Sequence, residues 1–133
     1  MNIYIAAHNQ AEAKLVAVVL TIHGHVITSR WLDKPFRPTR SYFFREREGI
    51  AQMDFDDVVA CDALVLLCPP GRRRSPGGKF VEAGIALGLG RRVYVMGPRE
   101  NMLLWHPRII QVPHCRALVS HLADNPSSWF HHP

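Results

Sequence analysis

Residues 63–68, Ala-Leu-Val-Leu-Leu-Cys, carry no charged or amide side chain on either strand face. A strand apolar on both faces needs a layer packed on each side, which is the situation of a parallel sheet covered by helices. The rest of the chain supplies matching pieces. Residues 2–7 read as a buried strand, rich in β-branched and aromatic side chains. Residues 11–22 follow with helical spacing at Ala13, Val16, Ala17 and Leu20, and Gly24 is a stop signal. Residues 25–28 read as a second strand. Residues 91–96, ended by Gly97-Pro98, and the short run 109–112 read as two more. Residues 115–123 read as a last helix. Strands alternating with helices predict a parallel α/β sheet of about five strands with right-handed crossovers. At 133 residues and 47% apolar, the chain is expected to form a single domain over 1–133, with 113–133 as C-terminal helix and tail.

The stretch 68–90 passes from the end of that apolar run through an Arg- and Gly-rich loop into a second apolar helix. Phe80, Val81, Ala83, Ile85, Ala86, Leu87 and Leu89 surround one carboxylate, Glu82. Carboxylates are rarely buried without a partner or a task. Placed just after Gly77-Gly78, Glu82 is expected in about the first turn, where the helix dipole favours its anionic form. An anionic, half-buried carboxylate at a loop rim can be a nucleophile. It can also be a first-turn residue that only satisfies the dipole.

A net charge of +5 points to an anionic partner, either nucleic acid or a small phosphate-bearing ligand. Part of the charge sits in residues 30–47, where six basic side chains interleave with Trp31, Phe36, Tyr42, Phe43 and Phe44. Pro35 and Pro38 argue against regular structure there. Residues 30–48 therefore read as a basic and aromatic loop: a lid over a nucleotide, a single-strand-binding surface or an ordinary solvated loop. A lid is favoured because the segment is long for an idle loop. Residues 49–61 then read as a helix with Asp54 and Asp57 on its inward face. The competing reading makes Asp54 the N-cap of a shorter helix and Asp57 its capping-box partner.

Familiar phosphate motifs are missing. No Gly-x-Gly-x-x-Gly follows the first strand, and Gly78-Lys79 continues with Phe80 where a phosphate-loop Ser or Thr would stand. Cys61, Cys68 and Cys115 form no Cys-x-x-Cys pair, Cys61 and Cys68 read as core, and the histidines show no paired ligand spacing. The N-terminal Met-Asn-Ile-Tyr-Ile-Ala-Ala lacks a basic n-region, so no signal peptide is expected, and no run reaches membrane-spanning length. The chain reads as cytoplasmic. Ligands of parallel sheets bind at the carboxyl ends of the strands. The candidates there are Tyr4, Ala7 and His8, then Ser29 and Arg30, then Gly71, Ser75, Gly77, Gly78 and Glu82. Asp54 and Asp57 would reach in from the neighbouring helix.

These residues resemble the nucleoside 2-deoxyribosyltransferase family. The likeness runs over roughly residues 2–101. It rests on Ile3-Tyr4 in the first strand, on the Gly24-His25-Val26 entry to the second, and on Asp54, Val58 and Cys61-Asp62 before the third. Gly78, Glu82, Gly84, Ala86 and Gly90 leading into Arg-Arg-Val-Tyr-Val complete it. The resemblance implies a flavodoxin-like, Rossmann-like domain. It implies Glu82 as the nucleophile that attacks the anomeric carbon, Asp54 as the contact to the nucleobase, and Tyr4 as the group that orients the nucleophile. One branch of the family hydrolyses 2'-deoxynucleoside 5'-monophosphates and uses loop Ser and Arg groups for the phosphate.

The chain departs from the family's pattern in two places: the C-terminal segment by which a neighbouring subunit completes the transferases' site has no clear match here, and a catalytic-loop carboxylate is replaced. The transferases carry a second Asp six residues before the catalytic Glu, and here Pro76 stands there beside Ser75. Arg72, Arg73, Arg74 and Ser75 offer cationic and hydroxyl groups instead. Asn101 is the best candidate for an amide near the sugar. The expected reaction is cleavage or transfer at the N-glycosidic bond of a 2'-deoxynucleoside or its 5'-monophosphate, with no metal or organic cofactor. The expected partner is that small molecule, not nucleic acid or a membrane, with the chain in a homodimer or higher homo-oligomer. A non-catalytic nucleotide-binding domain of the same fold and an NAD glycohydrolase-like activity are the alternatives.

Overall fold

The computed structural model describes residues 1–34, 40–71 and 77–124, with the backbone alone for residues 40–45. Five strands form one parallel sheet in the order β2-β1-β3-β4-β5. They are β1 (Asn2–Ala6), β2 (Val26–Ile27), β3 (Ala63–Leu67), β4 (Arg92–Met96) and β5 (Ile109–Val112). The helices are α1 (Gln10–Ile22), α2 (Arg40–Val59), α3 (Gly78–Gly88) and α4 (Cys115–Ala123).

The period-two alternation of the strands decides which residue meets which layer. Ile3, Ile5, Ala63, Val65 and Tyr94 pack with Ala13, Val16 and Leu20 of α1 and with Leu118 and Leu122 of α4. Tyr4, Ala6, Leu64, Leu66, Val93 and Val95 pack on the other side with Val58 of α2 and with Ala83 and Ala86 of α3. All five residues of β3 are buried, as a strand between two helical layers must be. Burying each large aliphatic side chain there contributes about 1.5–3 kcal/mol. Cys61 and Cys68 are buried as core residues.

Local chemistry sets the helix ends. Asn9 caps α1, its side-chain oxygen accepting from the Glu12 N–H at 3.0 Å. Gly24 follows the helix with φ 87°, a conformation that side chains with a Cβ rarely adopt. His114 caps α4, its Nδ1 accepting from the Ala117 N–H at 3.1 Å. Gly97 is needed for a different reason: a Cβ there would lie 1.8 Å from the Cys68 carbonyl oxygen. The ends of β3 and β4 can approach this closely only with glycine at that position.

Two expectations from sequence are corrected. The basic stretch is not a loop throughout, because Arg30–Asp33 is a 3-10 turn and α2 already begins at Arg40. The prolines stop at Pro38, and Gly49 inside a helix costs only about 1 kcal/mol, so nothing breaks the helix before Val59. The second strand is only two residues long. Side chains carry its ladder onward: the Ser29 hydroxyl accepts from the Ile5 N–H at 3.2 Å, and Trp31 Nε1 donates to the Ile5 carbonyl at 2.8 Å.

Candidate active site

The strand order changes direction between β1 and β3, and such a switch point is where parallel sheets bind ligands. A cavity of about 380 Å³ opens there. Ala7, His8 and Asn9 line it from the end of β1, Leu67, Pro69, Pro70 and Gly71 from the end of β3, and Lys79 and Glu100 from α3 and the loop after β4. Ala7, His8 and Gly71 are thus brought together as expected from sequence.

Tyr4, Asp54 and Glu82 lie on the side of the sheet covered by α2 and α3. Tyr4 is fully buried and shares a cluster with Val58, Ala83 and Ala86. Asp54 stands one turn before Val58, and Glu82 one turn before Ala86, so each carboxylate shares the inward face of its helix. Tyr4 Oη, Asp54 Oδ1 and Glu82 Oε2 are all buried without a hydrogen-bond partner among the described residues. Buried polar groups are nearly always paired, and an unpaired one calls for an explanation such as a catalytic role or an absent ligand or water.

The ionisation of Glu82 differs from the expectation. α3 begins at Gly78 and has no acidic residue in its first turn, so Glu82 lies beyond the reach of the dipole's strongest field. Burial dominates and pushes its pKa up to about 8. In the free protein at neutral pH the side chain is mainly the neutral acid. Asp54 is pushed up to about 6, by burial first and by the neighbouring Asp57 charge second, with Arg30 opposing both.

Other candidates fall into place differently. Asp57 is buried, and both of its oxygens are taken by Arg30: Oδ1 by Nε at 2.8 Å and Oδ2 by the backbone N–H at 2.9 Å. Asp57 therefore fixes the turn after β2 and is not open to a substrate, and Arg30 is its partner. Asn101 caps the 3-10 turn Met102–Trp105, its oxygen accepting from the Leu104 N–H at 3.3 Å. Its side-chain oxygen is thus engaged as the cap of that turn. Gly77, at φ 101°, is the N-cap of α3, and Gly78 is the helix's first residue. Ser75, Pro76 and the three loop arginines lie outside the described residues, as do the side chains of 40–45 that the lid reading needs.

Sequence reasoning missed Lys79. Lys79 is 5% exposed and its Nζ donates to the Leu67 carbonyl at 3.1 Å. The same nitrogen lies 3.4 Å from Glu100 Oε1. A Lys inside an apolar helix was the available signal. Gln10 was also missed: its Nε2 contacts the carbonyls of Trp31, Leu32 and Lys34 and holds the turn after β2 against α1. Among the described residues no group of three His, Cys, Asp or Glu side chains could hold a metal ion. No described helix is long and apolar enough to cross a membrane.

Comparison with protein-family models and with curated protein sequences returns no match. The fold matches solved structures, two of which are these. One is the Clostridium botulinum CMP N-glycosidase BcmB, at 16% identity and TM-score 0.60 over 92% of this chain and 98% of that one. The other is a 2-deoxyribosyltransferase from the psychrotolerant bacterium Bacillus psychrosaccharolyticus, at 18% identity and TM-score 0.70 over 97% of this chain and 96% of that one. With its parallel five-stranded sheet matched over nearly its whole length, the chain has the 2-deoxyribosyltransferase fold.

Proposed function

We propose that the protein cleaves or transfers the N-glycosidic bond of a 2'-deoxynucleoside or its 5'-monophosphate, with Glu82 as nucleophile. The observation that carries this reading is that Tyr4, Asp54 and Glu82 each bury a polar atom without a partner among the described residues, with Tyr4 packed on the side of the sheet that α2 and α3 cover. Two proteins of this fold, a CMP N-glycosidase and a 2-deoxyribosyltransferase, act at N-glycosidic bonds by name, the second with a deoxyribosyl group, which supports it further.

In the proposed reaction a Glu82 carboxylate oxygen bonds to C1' as the C1'–N bond breaks, and the electron pair leaves with the base. Asp54, with its pKa near 6, supplies a proton to the departing nitrogen or holds the base through a hydrogen bond. Tyr4 positions the carboxylate. The glycosyl ester is then resolved by water or by a second base. Glu82 must lose its proton first, and a positively polarised C1' placed beside it favours that loss. The working form is a homodimer or higher homo-oligomer, which sedimentation analysis tests.

The experiment is product analysis on a panel of deoxynucleosides, ribonucleosides and their 5'-monophosphates, with and without an acceptor base. Base release or exchange that disappears in Glu82→Ala supports the reading. Release that persists in that variant refutes it.

A further inference from the structure

The outward face of α1 is apolar where a surface helix is usually charged. Leu15, Val18 and Ile22 stand three and four residues apart, so they form one ridge along the helix. With Val26 of the edge strand they are between 57% and 75% exposed. Residues 15–22 carry no charge, against the charged outer face that a solvated helix normally shows. Polar groups near the ridge are turned back onto the helix. The Thr21 hydroxyl donates to the Ala17 carbonyl at 2.7 Å, and His23 Nδ1 lies 2.9 Å from the Val19 carbonyl.

Beside the ridge runs a groove of about 490 Å³. α1 lines one wall through Ala17 and Thr21, and β2 and the turn after it line the other through Ile27 and Leu32. A contiguous apolar surface of this kind marks a site of interaction. The charges around it decide which partner fits. Lys14 balances Asp33 on the lining, and the lining Arg30 is neutralised by Asp57. The patch is therefore close to neutral on a chain of net charge +5, so an acidic partner gains little here. A membrane-surface helix carries Lys and Arg along its polar face, and α1 has Lys14 alone beside Glu12. A second copy of the chain suits the patch. A two-fold contact sets each ridge against the other copy's groove, and neutrality removes the self-repulsion of two basic chains there.

We propose that α1 and the β2 edge form the contact between two copies of this chain, an isologous dimer with ridge in groove. α1 packs on the side of the sheet opposite α2 and α3, the helices that carry Asp54 and Glu82, so the contact leaves that side uncovered. The inference names a surface for the homo-oligomer proposed above, and it stands or falls apart from the reaction.

Sedimentation equilibrium of the wild-type chain should show a dimer with Kd in the micromolar range, as an interface smaller than standard size gives. Val18→Glu/Ile22→Glu and Val18→Lys/Ile22→Lys each bring like charges together across the two-fold. Each should raise Kd about a hundredfold or more and be monomeric. Both positions are exposed, so the circular dichroism of each variant should match wild type. A mixture of the two variants should form a heterodimer, which a misfolded chain cannot do. Met102→Glu/Leu103→Glu, at another exposed apolar turn, should leave the wild-type association intact. A monomeric wild type overturns both the inference and the proposed oligomer. A dimer that survives both α1 variants, a variant mixture that stays monomeric, or a dimer broken only by the turn variant overturns the inference alone. Base release by the wild-type protein decides the proposed reaction separately.

Discussion

Replacing Glu82 with glutamine should stabilise the protein above neutral pH and leave it nearly unchanged in acid. The carboxyl titrates near its ordinary 4.5 when unfolded and at about 8 when folded. The folded state therefore holds the proton where the unfolded state has lost it. Stability falls as pH rises from 4.5 through 8, at up to about 1.4 kcal/mol for each pH unit. Integrated over that window the loss is on the order of 4–5 kcal/mol, an upper figure because Glu82 keeps some solvent contact. Glutamine has nearly the same shape and no charge to desolvate. Urea unfolding of both proteins between pH 5 and 9 should give curves that converge near pH 5 and separate by several kcal/mol at pH 8.5, with Glu82→Gln the more stable. Parallel curves across the whole range would refute the idea that burial holds Glu82 neutral. A stabilising substitution at a single acidic position is what a strained catalytic group produces.

The same two acids predict the rate profile. If Asp54 must be protonated and Glu82 ionised, kcat/KM should be bell-shaped with apparent pKa values near 6 and 8, and Asp54→Asn should remove one limb. A flat profile from pH 5 to 9 would exclude that pairing. Gly97→Ala should lower stability by about 2 kcal/mol or more, since it combines φ 112° with a Cβ 1.8 Å from the Cys68 oxygen, and thermal unfolding reads this directly. For the loop 72–75, a triple Arg→Ala variant should lower kcat/KM for a deoxynucleoside 5'-monophosphate more than for the deoxynucleoside. Losing a buried Arg–phosphate contact costs about 2–5 kcal/mol. Equal kcat/KM for both substrates in wild type would assign the loop's charge another role.

The sheet was legible because its central strands are apolar without interruption. Residues 63–68 could belong only between two layers, and β4, β5 and α4 fall within a residue of where their patterns placed them. The start of α2 was hidden for a physical reason. Its first turns are charged and aromatic with no apolar stripe, so periodicity began to speak only after Gly49. The edge strand β2 was overread because its neighbours Thr28 and Ser29 bond to the β1 backbone without being paired strand residues. For the candidate site, residue types and order singled out Tyr4, Asp54 and Glu82; Tyr4 packs on the side of the sheet covered by α2 and α3, the helices that carry the other two. What sequence could not give was their ionisation, which depends on burial, or their competition for partners. Asp57 carries the same carboxylate as Asp54, and only the structure gives it to Arg30. Lys79 failed a motif and so drew no attention, although a lysine on an inward helix face must find oxygen atoms somewhere.

The central claim is that Glu82 forms a covalent bond to the sugar. Rapid mixing with a deoxynucleoside 5'-monophosphate or deoxynucleoside that releases base, followed by acid quench and peptide mass spectrometry, tests it most directly. The account predicts a deoxyribosyl adduct, with or without phosphate, on the peptide containing Glu82, together with base release, and neither in Glu82→Ala. Base release with no adduct on that peptide, or release that survives in Glu82→Ala, would contradict it.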